Sequence, residues 1–393
     1  MKIPLLTICT LLVSFLSHAV DLSNINYADH YKNSSVKMNY QIAQVDSIYT
    51  LLLSFGYTRI SASDSITSFE LLAQEKFTSS SDFPVELLSE TTRKLTQGEQ
   101  KEIKLKVDTD QNYLVVKLVY HSRTYFFDIP INQSLSFPLA DFIIKPADTT
   151  KMFHDLTLGD TLVLHPISGQ SAPFYSYEYP NAFKNGLPPM AMQPDPNGNQ
   201  ELEIIKSSLI GNEFSIHAEN SLYFIQNDTS TSQGQICLSH TATFPKATQI
   251  EELITPLIFI STQEEYEKLL LATEPREAFE DFWLKIIPSK KMAASTIKNY
   301  YKRIKEANEL FTSYKSGWKT DQGMIYIIYG TPDKVSRNGN EEIWEFKAYE
   351  GDIKFTFAKQ INLFTQHHYT LVRDSVYAEI WYREIKKWRK GIS

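Results

Sequence analysis

The spacing of apolar and polar residues changes its period near residue 255. Before that position, short runs rich in β-branched and aromatic residues alternate with polar turns, which is typical of antiparallel β-structure. The clearest runs are residues 36–42, 48–55, 66–72, 103–107 and 113–120. We therefore predict two antiparallel β-sandwich-like domains, over residues 20–148 and 149–260, with a linker composition near 145–150.

The second predicted domain contains a run of alternating tyrosines. Tyr175, Tyr177 and Tyr179 share one face of the predicted strand, because successive side chains in a strand point to opposite faces. That face either packs against neighbouring strands or forms a surface on which a sugar can stack. Prolines within 188–196 predict a long surface loop, since proline cannot donate to a strand ladder.

After residue 255 apolar residues recur every three or four positions, which predicts helices. Ser261 and Glu264 fit a capping box before a helix that extends to about residue 271. A second predicted helix spans 275–287, where a proline opens it and another ends it. The longest predicted helix runs over 295–314.

The remainder of the chain predicts a β-meander. Six apolar residues at 324–329 stand between two turns, so we predict a strand there, followed by strands at 343–346, 353–357 and 369–372. Residues 261–393 are thus expected to form a small α+β domain, in which the long helix covers the apolar face of the sheet. The predicted fold class is multidomain, mostly β and then α+β.

Residues 317–333, GWKTDQGMIYIIYGTPD, carry the most specific pattern in the chain, and we call them the signature. Gly317, Trp318, Thr320 and Asp321 fill four named positions, and the segment resembles that of the GWxTD-domain family, exported proteins found mostly in Bacteroidetes. The resemblance covers about the last third of the chain and includes Trp344. It implies a family whose activity is not established.

We interpret the signature as structural and keep a groove around Trp318 and Asp321, for a peptide, glycan or protein, as the alternative. Polar side chains can accept turn N–H groups, glycines permit positive φ or close approach, and proline presets a turn. Gly317 is expected to cap the long helix with positive φ. The candidate binding or structural residues are Gly317, Trp318, Thr320, Asp321, Gly323, Gly330, Pro332, Asp333 and Trp344.

Catalytic and metal patterns are weak along the chain. Asp321 and Asp333 would lie more than about 20 Å apart at the two ends of the predicted strand, which excludes a glycosidase-like pair. We find no nucleophile elbow, zinc-helix motif or phosphate-binding loop, and predict no metal site and no cofactor. Cys237 would be the single cysteine of the mature chain, either a buried small hydrophobe or a reactive thiol.

The C-terminal residues 377–390 predict a basic amphipathic helix. Trp381, Ile385 and Trp388 recur at helical spacing, and five basic residues lie on other faces. Such a helix can dock on its own domain, dock on a partner, or contact an anionic membrane surface. These three residues are our candidates for surface docking.

The start of the chain predicts export. Lys2, a short apolar run and Ser17-His18-Ala19 form a signal peptide over residues 1–19, with cleavage after Ala19. The formal net charge of −7 disfavours nucleic-acid binding. We expect a periplasmic or outer-membrane-associated protein with an envelope protein as its partner.

These observations lead to a functional hypothesis. The order Gly330-x-Pro332-Asp333, turn and strand is similar to small lipoproteins of the outer-membrane β-barrel assembly machinery, which are adaptors without catalysis. We predict a non-catalytic adaptor or scaffold of the bacterial cell envelope. The alternative is an envelope hydrolase or carbohydrate-binding protein with a site in an inter-domain cleft. An adaptor should show an apolar groove or an open sheet edge, and an enzyme a concave pocket with convergent polar groups and perturbed carboxylates.

Overall fold

The computed structural model describes residues 20–392 except 33–34, 58–65, 80–81, 97, 109, 133–138, 170–172, 193–201 and 349–350. The predicted signal peptide, residues 1–19, and the prolines at 194 and 196 lie outside the described residues. No helix in the described part of the chain is both long enough and apolar enough to cross a membrane.

The first β-region is a sandwich of two four-stranded antiparallel sheets, as the alternating runs predict. Its sheets have the orders β1-β2-β6-β5 and β4-β3-β7-β8, and their inner faces share one apolar core that includes Leu53, Phe55, Leu105 and Val116. The strands are β1 (Val36–Val45), β2 (Ile48–Tyr57), β3 (Ser68–Gln74), β4 (Phe83–Pro84), β5 (Glu86–Leu95), β6 (Gly98–Lys106), β7 (Tyr113–Tyr120) and β8 (Arg123–Pro130).

The second β-region also packs two sheets around one core, which includes Phe142, Leu162, Phe174 and Tyr223. The sheets have the orders β10-β16-β15-β12-β13 and β14-β11-β9, and only the short β10–β16 pair is parallel among the described pairs. The strands are β9 (Phe142–Pro146), β10 (Leu156–Thr157), β11 (Thr161–Pro166), β12 (Phe174–Pro180), β13 (Lys206–Ile210), β14 (Glu213–Ser215), β15 (Ser221–Gln226) and β16 (Gln235–His240).

The switch to a helical period is confirmed, with shifted boundaries. The capping box uses Thr262 and Glu265, one residue later than predicted. The long helix begins earlier than predicted, because the hydroxyl of Ser289 accepts the N–H of Met292 and caps it there. The helices are α1 (Ile250–Ile254), α2 (Gln263–Leu270), α3 (Pro275–Ile286), α4 (Lys290–Phe311), α5 (Asp321–Tyr329) and α6 (Tyr377–Lys390).

The predicted strand at 324–329 is wrong, since these residues belong to α5. Thr320 caps this helix by accepting the N–H of Gly323, and every residue from Asp321 to Ile328 is buried. A short helix buried on all sides shows a continuous apolar run, which periodicity cannot distinguish from a buried strand. The helix ends at Gly330, where φ is 85°.

A four-stranded antiparallel meander is present, but it begins after the signature. Its strands are β17 (Lys334–Arg337), β18 (Glu341–Phe346), β19 (Ile353–Asn362) and β20 (Thr365–Leu371), in that order across the sheet. The predicted α+β arrangement of the C-terminal region therefore holds, with α5 as an additional helix in its core.

The N-terminal segment, residues 20–32, packs with the C-terminal α+β region. Leu22, Tyr27 and Tyr31 belong to the same apolar core as Trp318 and Trp344. The two ends of the described chain are therefore joined through a shared core.

Candidate functional site

The signature begins with a backbone contact between Gly317 and α4. A Cβ on Gly317 would lie 2.0 Å from the carbonyl oxygen of Ala307, so only glycine fits. The N–H of Gly317 donates to Thr312 Oγ1 at 2.8 Å. The expectation of a positive-φ cap at Gly317 is wrong: this residue opens a short 3-10 turn, and close approach is what requires glycine.

Trp318 follows in the same turn and is 9% exposed. Its backbone N–H donates to Asn308 Oδ1 at 3.1 Å, and its ring packs edge-on against Phe259 at a centroid distance of 6.1 Å. The backbone therefore anchors the turn to α4, and the ring anchors it to the helical region before α4.

Thr320 and Gly323 complete the turn into α5. The Thr320 hydroxyl donates to the carbonyl of Gly317 at 2.7 Å and accepts the N–H of Gly323 at 2.9 Å. A Cβ on Gly323 would lie 1.9 Å from the Gly317 oxygen. The Gly, Thr and Gly positions of the signature thus form one close-packed helix start.

Asp321 holds the meander to this helix start. Its Oδ2 accepts the N–H of Leu371 at 2.7 Å, and its Oδ1 accepts a hydrogen bond from Arg373 at 2.6 Å. Asp321 is buried and the side chain of Arg373 is 9% exposed, so this ion pair is largely shielded from water. Burial raises the pKa of Asp321 above its ordinary value, although Arg373 opposes that shift.

A loop of the second β-region lies directly over Asp321. Gly186 donates its N–H to the carbonyl of Lys319 at 2.9 Å, and a Cβ on it would lie 2.4 Å from Asp321 Oδ1. Arg373 also donates to the carbonyl of Leu187 at 3.1 Å. The loop fills the space that a groove beside Asp321 would need.

The other end of α5 is fixed by different contacts. Arg303 donates to the carbonyls of Ile327 and Ile328, both at 3.0 Å, and so satisfies the end of the helix. Pro332 is buried in the turn that follows. Asp333 is exposed and accepts the N–H of Lys347 at 2.8 Å.

Asp321 and Asp333 therefore serve two different turns and do not form a pair. The predicted separation rested on a strand that does not exist, so that argument is wrong. The conclusion against a paired-carboxylate site now rests on their separate partners instead.

Behind the signature lies a buried polar network centred on Glu342. Its Oε1 accepts hydrogen bonds from Tyr31 at 2.6 Å, Gln322 at 2.8 Å and the indole of Trp344 at 2.5 Å. Its Oε2 accepts from Arg337 at 2.6 Å. Glu342 is fully buried, so its carboxylate cannot accept hydrogen bonds from bulk water. The hydrogen bonds within the protein replace them.

The network extends into the first sandwich. Nη1 of Arg337 also lies 3.5 Å from Oδ1 of Asp128 on β8. The guanidinium carbon of Arg337 lies 4.3 Å from the centre of the Tyr27 ring. Burial raises the pKa of Tyr31, and the neighbouring Glu342 adds to this, so the phenol remains a donor. The network therefore connects the N-terminal segment, the first sandwich and the signature helix.

This network is not predicted from the sequence, although one signal of it is visible there. Glu342 stands two residues before Trp344, so both face the same side of a strand whose inward positions are otherwise apolar. A carboxylate on an apolar strand face needs buried partners, and those partners come from distant parts of the chain.

A cleft of about 410 Å³ lies where the three regions meet. Its walls come from residues 36–42 of β1, residues 235–238 of β16, the end of α4 and the β19–β20 hairpin. Its two carboxylates, Asp128 and Glu309, are both ion-paired, Glu309 with Lys305 at 2.5 Å. Among the described residues no group of three or more His, Cys, Asp or Glu is placed to hold a metal ion.

The three tyrosines of β12 lie on the outer face of their sheet. Phe174, Ser176 and Glu178 face the sandwich core, whereas Tyr175, Tyr177 and Tyr179 are half-buried on the other side. Tyr175 lies opposite the exposed Leu209 in the pairing of β12 with β13. The ring of Tyr179 packs against that of Phe364, with 5.7 Å between the ring centres. Part of this face therefore packs against the protein, and part of it is exposed to solvent.

The C-terminal helix α6 packs on its own domain. Trp381, Ile385 and Trp388 are buried in the core that also contains the signature. The Trp388 indole donates to the carbonyl of Ile328 at 3.1 Å, and Arg389 pairs through two nitrogens with Glu265. In this arrangement the three residues predicted for surface docking face the protein interior.

Cys237 is buried, and burial strongly raises the pKa of its thiol. A thiol that stays protonated is a poor nucleophile, which favours the reading of a small hydrophobe.

Comparison with known proteins gives a match to a family model. No curated protein matches the chain. A family model does match: residues 221–390 fit the GWxTD domain, from the start of β15 to the last residue of α6. The match contains the signature, the C-terminal helix and Glu342 with its partners Gln322, Arg337 and Trp344, but only two strands of the second sandwich. Tyr31, which also donates to Glu342, lies outside the match. The chain therefore contains a GWxTD domain over residues 221–390.

Proposed function

We propose that this protein is a non-catalytic adaptor or scaffold of the bacterial cell envelope that binds another envelope protein. The observation that carries the proposal is the open edge of β13. This strand ends its sheet and pairs only with β12 among the described strands. Ile205 and Leu209 beside this edge are 58% and 67% exposed.

An open edge with exposed apolar side chains is a template for another strand. Proteins usually protect such edges with charged residues or bulges. Over Lys206–Ile210 the sequence is Lys-Ser-Ser-Leu-Ile, so one charge stands beside two apolar residues. Tyr175, opposite Leu209, widens the apolar surface on the same face.

Another long open edge, that of β5, serves as an internal comparison. It carries Glu86, Glu90, Arg93 and Lys94, and its register shifts between Leu87 and Ser89. Both features discourage strand addition. Of these two edges, β13 is therefore the one suited to a partner.

The GWxTD part of the chain supports a scaffold role in a different way. Its buried ion pairs and network link the helices, the meander, the first sandwich and the loop at 181–190. These groups join the regions of the protein, so the signature acts as a structural element that presents the open edges in a fixed arrangement.

The alternative, a hydrolase or carbohydrate-binding protein, would use the inter-domain cleft. Hydrolysis by a carboxylate pair requires one acid and one base with separate protonation states. Asp128 is ion-paired with Arg337 and Glu309 with Lys305, so both carboxylates of the cleft are already bound to cations of the protein. The cleft thus suits binding better than hydrolysis.

The test is recovery of cross-linked partners from cells that express the full-length chain. Leu209→Lys places a charge at the β13 edge, and Leu88→Lys places the same charge on the exposed β5 strand. We expect Leu209→Lys to reduce recovery of a specific envelope protein at least tenfold and Leu88→Lys to leave it unchanged. Equal recovery with both variants would refute the role of β13.

A further inference from the structure

The inter-domain cleft has a strand edge along one wall. The strand β1 pairs with β2 along its whole length, and its second edge faces the cleft over residues 36–42. The carbonyl of Ile42 and the N–H of Gln44 both point to this edge, since they bond the side chain of Gln235 and the backbone of Ala140. By the two-residue alternation of a strand, the backbone groups of Val36 and Met38 point the same way.

Strand edges near this junction are covered by glutamine side chains. Gln41 donates to the carbonyl of Ile144 and accepts its N–H, both at 2.8 Å, which caps the edge of β9. Gln235 donates to the carbonyls of Ile42 and Phe142. The edge at Met38 has no such cap among the described residues and opens into the cleft.

Two further polar atoms in the cleft wall have no hydrogen-bond partner among the described residues. These are Oε1 of Gln366, in the β19–β20 hairpin, and Nδ1 of His154, and both atoms are buried. Buried polar atoms without partners cost free energy unless a ligand or water satisfies them. A ligand in the cleft that carries N–H groups can bond to the Gln366 oxygen.

The charge in the cleft selects against a charged ligand. Lys37 lies 3.7 Å from Glu309, and Arg337 lies 3.5 Å from Asp128, so each cation has an anionic partner. Burial lowers the pKa of His240 to about 4 and also lowers that of His154, which keeps both rings neutral at pH 7.

We propose that the cleft binds an uncharged, extended peptide segment that adds to the free edge of β1. Main-chain groups of the segment pair with Val36 and Met38, and one of its N–H groups reaches Gln366. A volume of about 410 Å³ falls within the usual range for ligand sites. This site is separate from the β13 edge, so it gives the protein a second attachment and goes beyond the proposed function.

The test first selects peptides that bind the purified full-length protein from a random hexapeptide phage library. The most enriched peptide is then labelled with a fluorophore, and its affinity for the protein is measured by fluorescence anisotropy. Met38→Pro removes an edge N–H that β2 does not use, whereas Met38→Leu keeps it. We expect Met38→Pro to weaken binding at least tenfold and Met38→Leu to leave it unchanged. Gln366→Leu should weaken binding about three- to tenfold, as expected for one lost hydrogen bond.

Two controls make the result independent of folding and of the first proposal. A version of the peptide N-methylated at alternate residues cannot pair with a strand edge and should not bind the wild-type protein. Leu209→Lys, at the β13 edge, should bind the peptide like wild type. Failure to enrich any peptide, or equal affinity for Met38→Pro and Met38→Leu, would overturn the inference whatever happens at β13.

Discussion

The hydroxyl of Tyr31 donates to Glu342 at 2.6 Å although 311 residues separate them in the chain. Both residues are buried, and Arg337 bonds to both of them. This contact fastens the N-terminal segment to the GWxTD domain, so the two ends of the protein stabilise each other.

Removal of the Tyr31 hydroxyl should therefore destabilise the whole protein. Tyr31→Phe leaves the ring in place and takes one donor from a buried carboxylate, which should cost about 1.5–3 kcal/mol. Urea unfolding measures the loss. Tyr382→Phe, at a residue that is 62% exposed, is the control and should change nothing. Equal midpoints for the two variants would show that the network is not stabilising.

The glycine at the start of the signature should tolerate no side chain. Gly317→Ala forces a Cβ to within 2.0 Å of Ala307 and should cost about 3 kcal/mol, the upper end for overpacking. Gly211→Ala is the matched control, because nothing lies within 4 Å of its Cβ position. Thermal unfolding of both variants compares them, and a similar loss in both would contradict the packing argument.

Asp321 should be more sensitive than Asp333. Asp321→Asn leaves Arg373 as an unpaired buried charge, and breaking a buried ion pair costs about 3–5 kcal/mol. Asp333→Asn changes an exposed acceptor and should cost less than about 1 kcal/mol. Urea unfolding of the two variants measures their free energies of unfolding and compares the two losses. An Asp321→Asn protein as stable as Asp333→Asn would show that the Asp321–Arg373 ion pair does not stabilise the fold.

The fold class could be predicted from the sequence, but the signature helix could not, for a definable reason. The apolar-rich runs identified β1, β2, β3, β6 and β7 of the first sandwich but not β4, β5 or β8. The strand β5 is exposed over most of its length, so no apolar face marks it in the sequence. The run at 324–329 has no polar face, since Asp321 and Gln322 are buried along with Met324 and Ile325. Only the Thr320 cap, which requires knowledge of the backbone, separates helix from strand there.

The candidate site was partly predictable. The signature residues are individually informative, and close approach at Gly323 and positive φ at Gly330 follow from glycine chemistry. Arg373 and Gly186, which complete the surroundings of Asp321, lie on distant segments. Nothing in their local sequence indicates the contact, because tertiary packing alone brings them to the carboxylate.

Acid should weaken the protein partly through His30. Burial lowers the pKa of His30 to about 3, so the folded state keeps the ring neutral while the unfolded state takes up a proton near pH 6.5. The unfolded state binds more protons in this window, and stability is therefore lost as pH falls from 6.5 towards 3. His30→Phe should reduce that loss in urea unfolding at pH 7 and pH 5. An unchanged pH dependence would contradict the assignment.

The C-terminal helix should behave as part of the core. Trp388→Ala removes a fully buried indole and should cost about 3–5 kcal/mol, whereas Tyr382→Ala on the exposed side should cost little. Because the apolar stripe of the helix is packed inside, the protein should not co-sediment with anionic vesicles at low salt. Salt-sensitive co-sedimentation that disappears when residues 377–393 are deleted would favour a membrane-surface role.

Site-specific photo-cross-linking in living cells tests the adaptor proposal most directly. A photoreactive residue at Ser207, on the open β13 edge, is compared with one at Thr91, on the charged β5 edge. We predict a discrete cross-linked envelope protein from position 207 and none from position 91. Cross-links of equal yield from both positions, or none from 207, would contradict the account.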